Sequence, residues 1–191
     1  ALGSACLQLC HGQFLDLDYE SRPKVGLNQY REMVRGKTAA LMEACLYIGG
    51  LVGGANRPTL LRLRRTGRHL GLAFQIQDDV LDLWVDEGVT GKMATDMLRK
   101  KKTFPLVLAL SKTRGKARRE IDGLLSQQAM DARDVQRMAT LLEQLGLRQR
   151  SLQVAQGYFR AASAEMHACG FTHGNSDDLQ QMMRLMGERS F

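Results

Sequence analysis

Pro58-Thr59-Leu60-Leu61-Arg62-Leu63-Arg64-Arg65-Thr66-Gly67-Arg68-His69-Leu70-Gly71-Leu72-Ala73-Phe74-Gln75-Ile76-Gln77-Asp78-Asp79-Val80-Leu81-Asp82-Leu83-Trp84 reads as one long helix. Leu63, Leu70, Phe74, Gln77, Leu81 and Trp84 recur every three, four or seven residues, the spacing of a single face on a 3.6-residue period. Upstream, about Gln29 to Gly53 predicts another helix, with Leu41, Ala44, Cys45, Ile48 and Val52 as its apolar face and Gly49, Gly50, Gly53 and Gly54 as its stop. Downstream, Asp86 to Lys102 holds two glycines and five lysines or arginines and reads as a loop. Thr103-Phe104-Pro105 restarts an apolar run through Leu110, and an amphipathic helix is expected from about Lys116 to Met130. Asp131 is the N-cap of the next helix, which carries Val135, Met138, Leu142 and Leu145 and stops at Gly146. Leu152, Ala155, Phe159, Ala162 and Met166 form the face of another, closed by Gly170, and Ser176 caps a last one with Leu179, Met182 and Met186. Strand-like alternation does not compete with this pattern, so the expected fold class is all-α.

The composition agrees. In 191 residues, 44% are hydrophobic, 25% charged and only 6% aromatic, a balance that excludes wholesale disorder and disfavours a β-sandwich. No uncharged apolar run reaches the about 18 residues needed to span a bilayer, so no transmembrane segment is expected. Cys6, Cys10, Cys45 and Cys169 show no disulfide framework, and a cytoplasmic location is the simplest expectation. Cys6 and Cys10 are expected as small core residues, and the Met182, Met183 and Met186 cluster as helix packing. The chain starts at Ala1 without the basic stretch of a signal peptide, and reads as the interior of a longer polypeptide. A formal charge of +7 calls for a polyanionic partner, nucleic acid or a phosphorylated small molecule.

The long helix breaks its own apolar pattern at Gly71, Gln75, Asp78 and Asp82, which stand at offsets 0, 4, 7 and 11 and share a stripe, with Asp79 beside it. Three carboxylates within five residues repel one another unless something cationic neutralises them. Mg²⁺ suits this, because one or two carboxylates, water and substrate phosphate oxygens complete its shell. The competing reading is a solvated acidic face paired with lysines; the apolar neighbours Phe74, Ile76, Val80, Leu81, Leu83 and Trp84 weigh against it. Lys37, Lys92 and Lys101 supply compact positive charge suited to phosphate, Lys92 within a glycine-bearing loop. Each lysine taken singly reads equally well as an ordinary solvated residue.

Together these segments resemble the successive motifs of the trans-isoprenyl diphosphate synthases, the farnesyl and geranylgeranyl diphosphate synthase family. The segments are Gly12-Gln13 with Asp16, Lys37-Thr38, Phe74 to Asp82, Gly91-Lys92 with Asp96, and Lys101-Lys102-Thr103 before Pro105. The resemblance implies an isoprenoid synthase-type helical bundle around a deep cavity, in which an allylic prenyl diphosphate ionises and isopentenyl diphosphate attacks the cation. It implies that Asp78, Asp79 and Asp82 hold Mg²⁺, that Lys37, Lys92 and Lys101 contact the diphosphate, and that Thr38 and Gln75 offer neutral oxygen dipoles to the cation. Gln13, Asp16 and Asp96 would complete the polar shell, and a homodimer is the family's expected assembly.

The family carries two aspartate-rich motifs, and residues 78–82 resemble only the second. Residues 1–191 are therefore expected to be the C-terminal part of such a domain, truncated at its N-terminal side and inactive alone. The alternatives are a non-catalytic subunit, a terpene cyclase of the same fold, or a basic helical nucleic-acid module built on Arg62, Arg64, Arg65 and Arg68. The few aromatics and the acidic far end of that helix argue against nucleic acid.

Overall fold

The computed structural model describes residues 1–84, 95–171 and 177–187, and among these every regular element is helical. The elements are α1 (Leu2–Ser21), α2 (Leu27–Val34), a π-helical turn (Arg35–Ala39), α3 (Ala40–Val52), α4 (Arg57–Leu83), α5 (Thr95–Leu98), α6 (Phe104–Lys112), α7 (Gly115–Ser126), α8 (Ala132–Gln144), α9 (Leu147–His167) and α10 (Asp177–Gly187). None is long and apolar enough to cross a membrane.

The long central helix forms as its sequence predicts. Asn56 caps α4 by accepting from the Thr59 N–H at 3.0 Å, and Pro58 sits in the first turn, where its missing N–H is harmless. From α4 the chain packs outward, most extensively against α9 on one side and α3 on the other. Leu72, Ile76 and Leu83 of α4 join Tyr30, Met33 and Val34 of α2 and Phe104, Leu106 and Val107 of α6 in the main core. Each large apolar side chain so buried contributes about 1.5–3 kcal/mol. A smaller core joins Leu63 and Leu70 to Ala162 and Met166 of α9 and Met183 of α10.

Other sequence signals hold. Asp131 accepts from the Asp134 N–H at 2.9 Å while Asp134 reaches back to the Asp131 N–H, a capping box. Gly146 and Gly170 take the left-handed conformation (φ 68° and 71°) that ends a helix, and Gly146 leads directly into α9. The Ser176 cap lies outside the described residues. The amphipathic helix predicted to Met130 ends earlier, at Ser126, where Gln127 turns extended. Within the segment read as loop, Thr95–Leu98 forms a single helical turn.

Two expectations fail. The helix predicted over Gln29–Gly53 is broken by the π-helical turn, which adds a residue to the turn and rotates α3 relative to α2. Of its expected apolar face only Ala44 is buried; Leu41, Cys45 and Val52 are exposed, Val52 by 85%. α3 and the π-helical turn meet α4 along the glycine edge of α4: a Cβ on Gly67 would stand 2.6 Å from the Glu43 Cα, and one on Gly71 would stand 2.4 Å from the Ala39 Cα. Close backbone approach, not hydrophobicity, selects the packed stripe. Cys6 and Cys10 are likewise exposed rather than core, because α1 buries the opposite line of Ala5, Gly12, Asp16 and Tyr19. Met183 packs inward as expected, whereas Met182 is exposed.

Candidate active site

Five elements converge on the inner end of α4. α1 and the π-helical turn cross almost in contact: a Cβ on Gly12 would stand 2.0 Å from the Lys37 backbone nitrogen, and one on Gly36 would stand 2.7 Å from the Gln8 carbonyl oxygen. One turn along, Lys37 Nζ donates to Asp16 Oδ2 at 2.7 Å. Lys101, just beyond α5, lies 3.9 Å from the same oxygen and 2.7 Å from Asp96 Oδ1. The Asp96 N–H faces Asp82 Oδ2 at 3.4 Å, so the ionic chain returns to α4. The π turn matters here because it places Lys37 toward Asp16 and Thr38 toward α4, where Thr38 Oγ1 donates to Gln75 Oε1 at 2.6 Å.

Lys101 sits in a tight turn. Lys100 is the one non-glycine residue with positive φ (55°) among those described, and the buried Lys102 ammonium donates to the Lys100 and Glu20 carbonyls at 3.0 and 3.2 Å. Burial lowers the Lys102 pKa, with Glu20 opposing and Lys100 adding to the effect. Burial acts the same way on Lys101, but the hydrogen bond and charge of Asp96, joined by Asp16, outweigh it and hold that ammonium above the ordinary lysine value.

The aspartates divide by helical geometry. Asp78 is exposed and Asp82 half-buried, one turn apart on the stripe that faces α5. Burial, then the charge of Asp96, pushes Asp82 up to about 6, opposed by the Asp96 N–H and Lys101 and reinforced by Asp78. No three His, Cys, Asp or Glu side chains among the described residues form a ready-made ion cage.

Asp79 corrects the sequence expectation. It turns away from that stripe into the core, 5% exposed, and both its oxygens are engaged: Oδ2 accepts from Tyr30 Oη at 2.6 Å and from the Phe104 N–H at 2.7 Å, and Oδ1 accepts from Gln75 Nε2 at 3.0 Å. The Phe104 N–H opens α6, whose helix dipole favours the carboxylate. Burial pushes Asp79 up to about 7, against the downward pull of these three donors. The structure thus makes Asp79 a buried anchor between α2, α4 and α6, apart from the stripe of Asp78 and Asp82.

Of the sequence-derived candidates, the structure brings together Asp16, Lys37, Thr38, Gln75, Asp82, Asp96 and Lys101. Gln13 is exposed one turn before Asp16, outside the hydrogen bonds that join these residues. Lys92 lies outside the described residues. Tyr30 and the Phe104 N–H were not among the candidates. The signal for Tyr30 was present, since a phenol within an apolar stripe requires a buried partner for its hydroxyl.

The pattern of the polyprenyl synthetase family matches residues 1–142, and the chain belongs to that family. The geranylgeranyl diphosphate synthase of Mycobacterium tuberculosis (strain H37Rv) is 44% identical over 147 residues, 76% of this chain and 42% of that protein. The (2E,6E)-farnesyl diphosphate synthase of the same strain is 43% identical over 107 residues, 56% of this chain and 30% of that one. The crystal structure of geranylgeranyl pyrophosphate synthetase from Pyrococcus horikoshii superposes with a TM-score of 0.88 at 30% identity, covering 99% of this chain and 57% of that one. The chain therefore spans less than half the length of these two curated relatives.

Proposed function

We propose that this chain supplies the diphosphate- and metal-binding wall of a short-chain trans-prenyl diphosphate synthase, which joins an allylic prenyl diphosphate to isopentenyl diphosphate. The observation that carries the reading is the ion-paired chain Lys37–Asp16–Lys101–Asp96, whose last member turns its backbone N–H toward Asp82, beside the Thr38–Gln75 pair. In it, Lys37 and Lys101 pass from carboxylate partners to diphosphate oxygens, joined by Lys92 on the family resemblance. Asp78 and Asp82 hold Mg²⁺, with Asp96 adjacent; when bound, that ion offsets the charge developing on the departing diphosphate. Thr38 and Gln75 face the cation with neutral oxygens, and the carboxylate behind them, Asp79, is buried where it does not trap the cation as an ester.

The proposal extends to assembly, location and activity. Leu7, Phe14 and Leu17 leave an outward apolar stripe on α1, 56–74% exposed, which supports a homodimer; sedimentation velocity tests it. The cytoplasm is the proposed location. The 191 residues alone, with one aspartate-rich motif, are proposed not to condense isopentenyl diphosphate, so turnover by this chain would refute that part.

The binding reading is tested by thermal unfolding with Mg²⁺ and geranyl diphosphate. At a hundred times the dissociation constant, a ligand stabilises the fold by about 2.7 kcal/mol. The expected shift requires both additions and disappears in Asp78→Ala and Asp82→Ala. A shift indifferent to Mg²⁺ and to both replacements overturns the reading.

A further inference from the structure

The hydrogen bonds around Asp79 converge on it, from Gln75 on the side of the site and from Tyr30 and the Phe104 N–H behind. Tyr30 is fully buried behind Asp79. Its ring packs against Phe104 with centroids 5.4 Å apart, so one packed pair carries both donors to Oδ2, the hydroxyl of Tyr30 and the N–H of Phe104. With Oδ2 held, Oδ1 is aimed at Gln75, and Gln75 in turn meets Thr38.

A carboxamide has a donor end and an acceptor end of nearly equal size, and only its partners choose between them. Here the choice is made from behind. Asp79 Oδ1 demands a donor, so Nε2 of Gln75 faces Asp79 and Oε1 faces Thr38. Thr38 has a single hydroxyl proton, and giving it to Oε1 leaves the oxygen lone pairs for the site. The reversed carboxamide would set Oε1 against a carboxylate oxygen and place N–H on Thr38, occupying a lone pair.

We propose that Tyr30 is a positioning residue for prenyl transfer: through Asp79 it fixes the orientation of the Gln75 carboxamide and, through that, the oxygen that Thr38 presents to the allylic cation. The effect on rate rests on the prenyltransferase reading above; the orientation does not. Asp79→Asn provides a sharp contrast. Its oxygen must stay where Tyr30 and Phe104 both donate, which turns its NH₂ toward Gln75 and forces the carboxamide to reverse.

The test uses the full polypeptide labelled with ¹⁵N-glutamine, the side-chain NH₂ pair of Gln75 being identified by its loss in Gln75→Met. In Tyr30→Phe, which keeps the ring on Phe104, that pair is expected to exchange with solvent about tenfold faster; in Asp79→Asn it is expected to move to a new chemical shift. In steady-state condensation of geranyl and isopentenyl diphosphates, both variants are expected to lose about tenfold or more in kcat, with KM for the allylic substrate held within roughly twofold. The Mg²⁺-dependent thermal shift with geranyl diphosphate is expected to persist. A Gln75 pair unchanged in both variants overturns the proposal, as does a rise in KM with kcat intact, the mark of a merely structural role. Because the 191 residues alone are proposed not to turn over, the kinetic comparison is read on this chain joined to a first aspartate-rich motif; no turnover there fells the prenyltransferase reading, while the amide measurement still decides the orientation. Should Tyr30→Phe not fold, the same measurements on Asp79→Asn decide it.

Discussion

Lys37 Nζ and Asp16 Oδ2 meet at 2.7 Å because Gly12 and Gly36, one turn away, let α1 and the π-helical turn touch backbone to backbone. The ion pair on the site side and the glycine crossing are one structural unit. Neither helix could carry a side chain at the crossing without moving Lys37 away from Asp16.

Gly12→Ala tests this directly. The added Cβ has 2.0 Å to the Lys37 nitrogen, and the neighbour is backbone, which cannot swing aside. Overpacking of this kind is expected to cost about 3 kcal/mol in urea unfolding. Gly3→Ala, on the same helix with nothing within 4 Å, is the control. It is expected to be neutral or to stabilise by up to about 1 kcal/mol. Equal effects from the two replacements would contradict the crossing argument.

The division of the three aspartates gives a second expectation. Asp79→Ala strands the Tyr30 hydroxyl, the Phe104 N–H and the Gln75 amide, all of which donate to it. Each buried donor left unpaired costs about 1–3 kcal/mol, so a loss of roughly 3 kcal/mol or more is expected in chemical unfolding. Asp78→Ala, at an exposed position, should lie within about 0.5 kcal/mol of the parent chain. If Asp79→Ala unfolds at the parental midpoint, Asp79 is not the anchor described.

His69 supplies a pH dependence away from the site. Its Nδ1 is buried without a hydrogen-bond partner among the described residues, and its ring lies 6.0 Å from that of Tyr158. Burial holds its pKa below 6.5; Glu165 opposes this, while Arg68 and Arg65 add to it. The folded value lies below the unfolded one, so protonation favours unfolding. The contribution of His69 is complete above the ordinary value of about 6.5 and is lost as pH falls through the lower folded value. Acidification from about pH 7.5 toward 5 therefore removes stability through His69, while Asp79 and Asp82, whose folded values are raised to about 7 and 6, add stability as they protonate. The difference between the parent chain and His69→Phe isolates the His69 contribution, the parent losing more or gaining less in melting temperature. An unchanged slope in His69→Phe would remove His69 as the cause.

The stripe Gly71, Gln75, Asp78 and Asp82 was legible in the sequence because helical period alone sets those positions on one line, and Pro58, Asp131 and Gly146 marked helix ends. The buried role of Asp79 was not, because its neighbours in space, Tyr30 and Phe104, are 49 and 25 residues away in the chain. The π-helical turn was equally hidden. Arg35-Gly36-Lys37-Thr38-Ala39 has no composition that forbids an ordinary α-helix, and what breaks the period is contact with α1 at Gly12. The apolar face read on α3 lies within an unbroken stretch of helix, so its exposure at Leu41, Cys45 and Val52 reflects what packs against α3, not its period. Local periodicity assumes an unbroken helix, and tertiary contact decides whether it is one.

The arginines of α4 give the last expectation. Arg62 and Arg65 both reach Glu165 of α9, at 3.2 and 2.8 Å, and Arg64 and Arg68 both reach Glu43 of α3, at 2.6 and 3.0 Å. The basic run that suggested nucleic acid is thus divided between two carboxylates, and it ties α4 to the helices on either side. These are largely exposed pairs, so their worth is small: Glu165→Ala should cost about 1 kcal/mol at low salt. Near 1 M NaCl, where the screening length falls to roughly 3 Å, the difference should shrink toward zero. The hydrogen bond from Arg65 leads in holding the Glu165 carboxyl below its ordinary value. Its contribution is therefore present above about pH 4.5 and disappears as pH falls through the lower folded value, a window separate from that of His69. A Glu165→Ala penalty that persisted undiminished at high salt would show packing of the side chain against α4, not charge, to be its source.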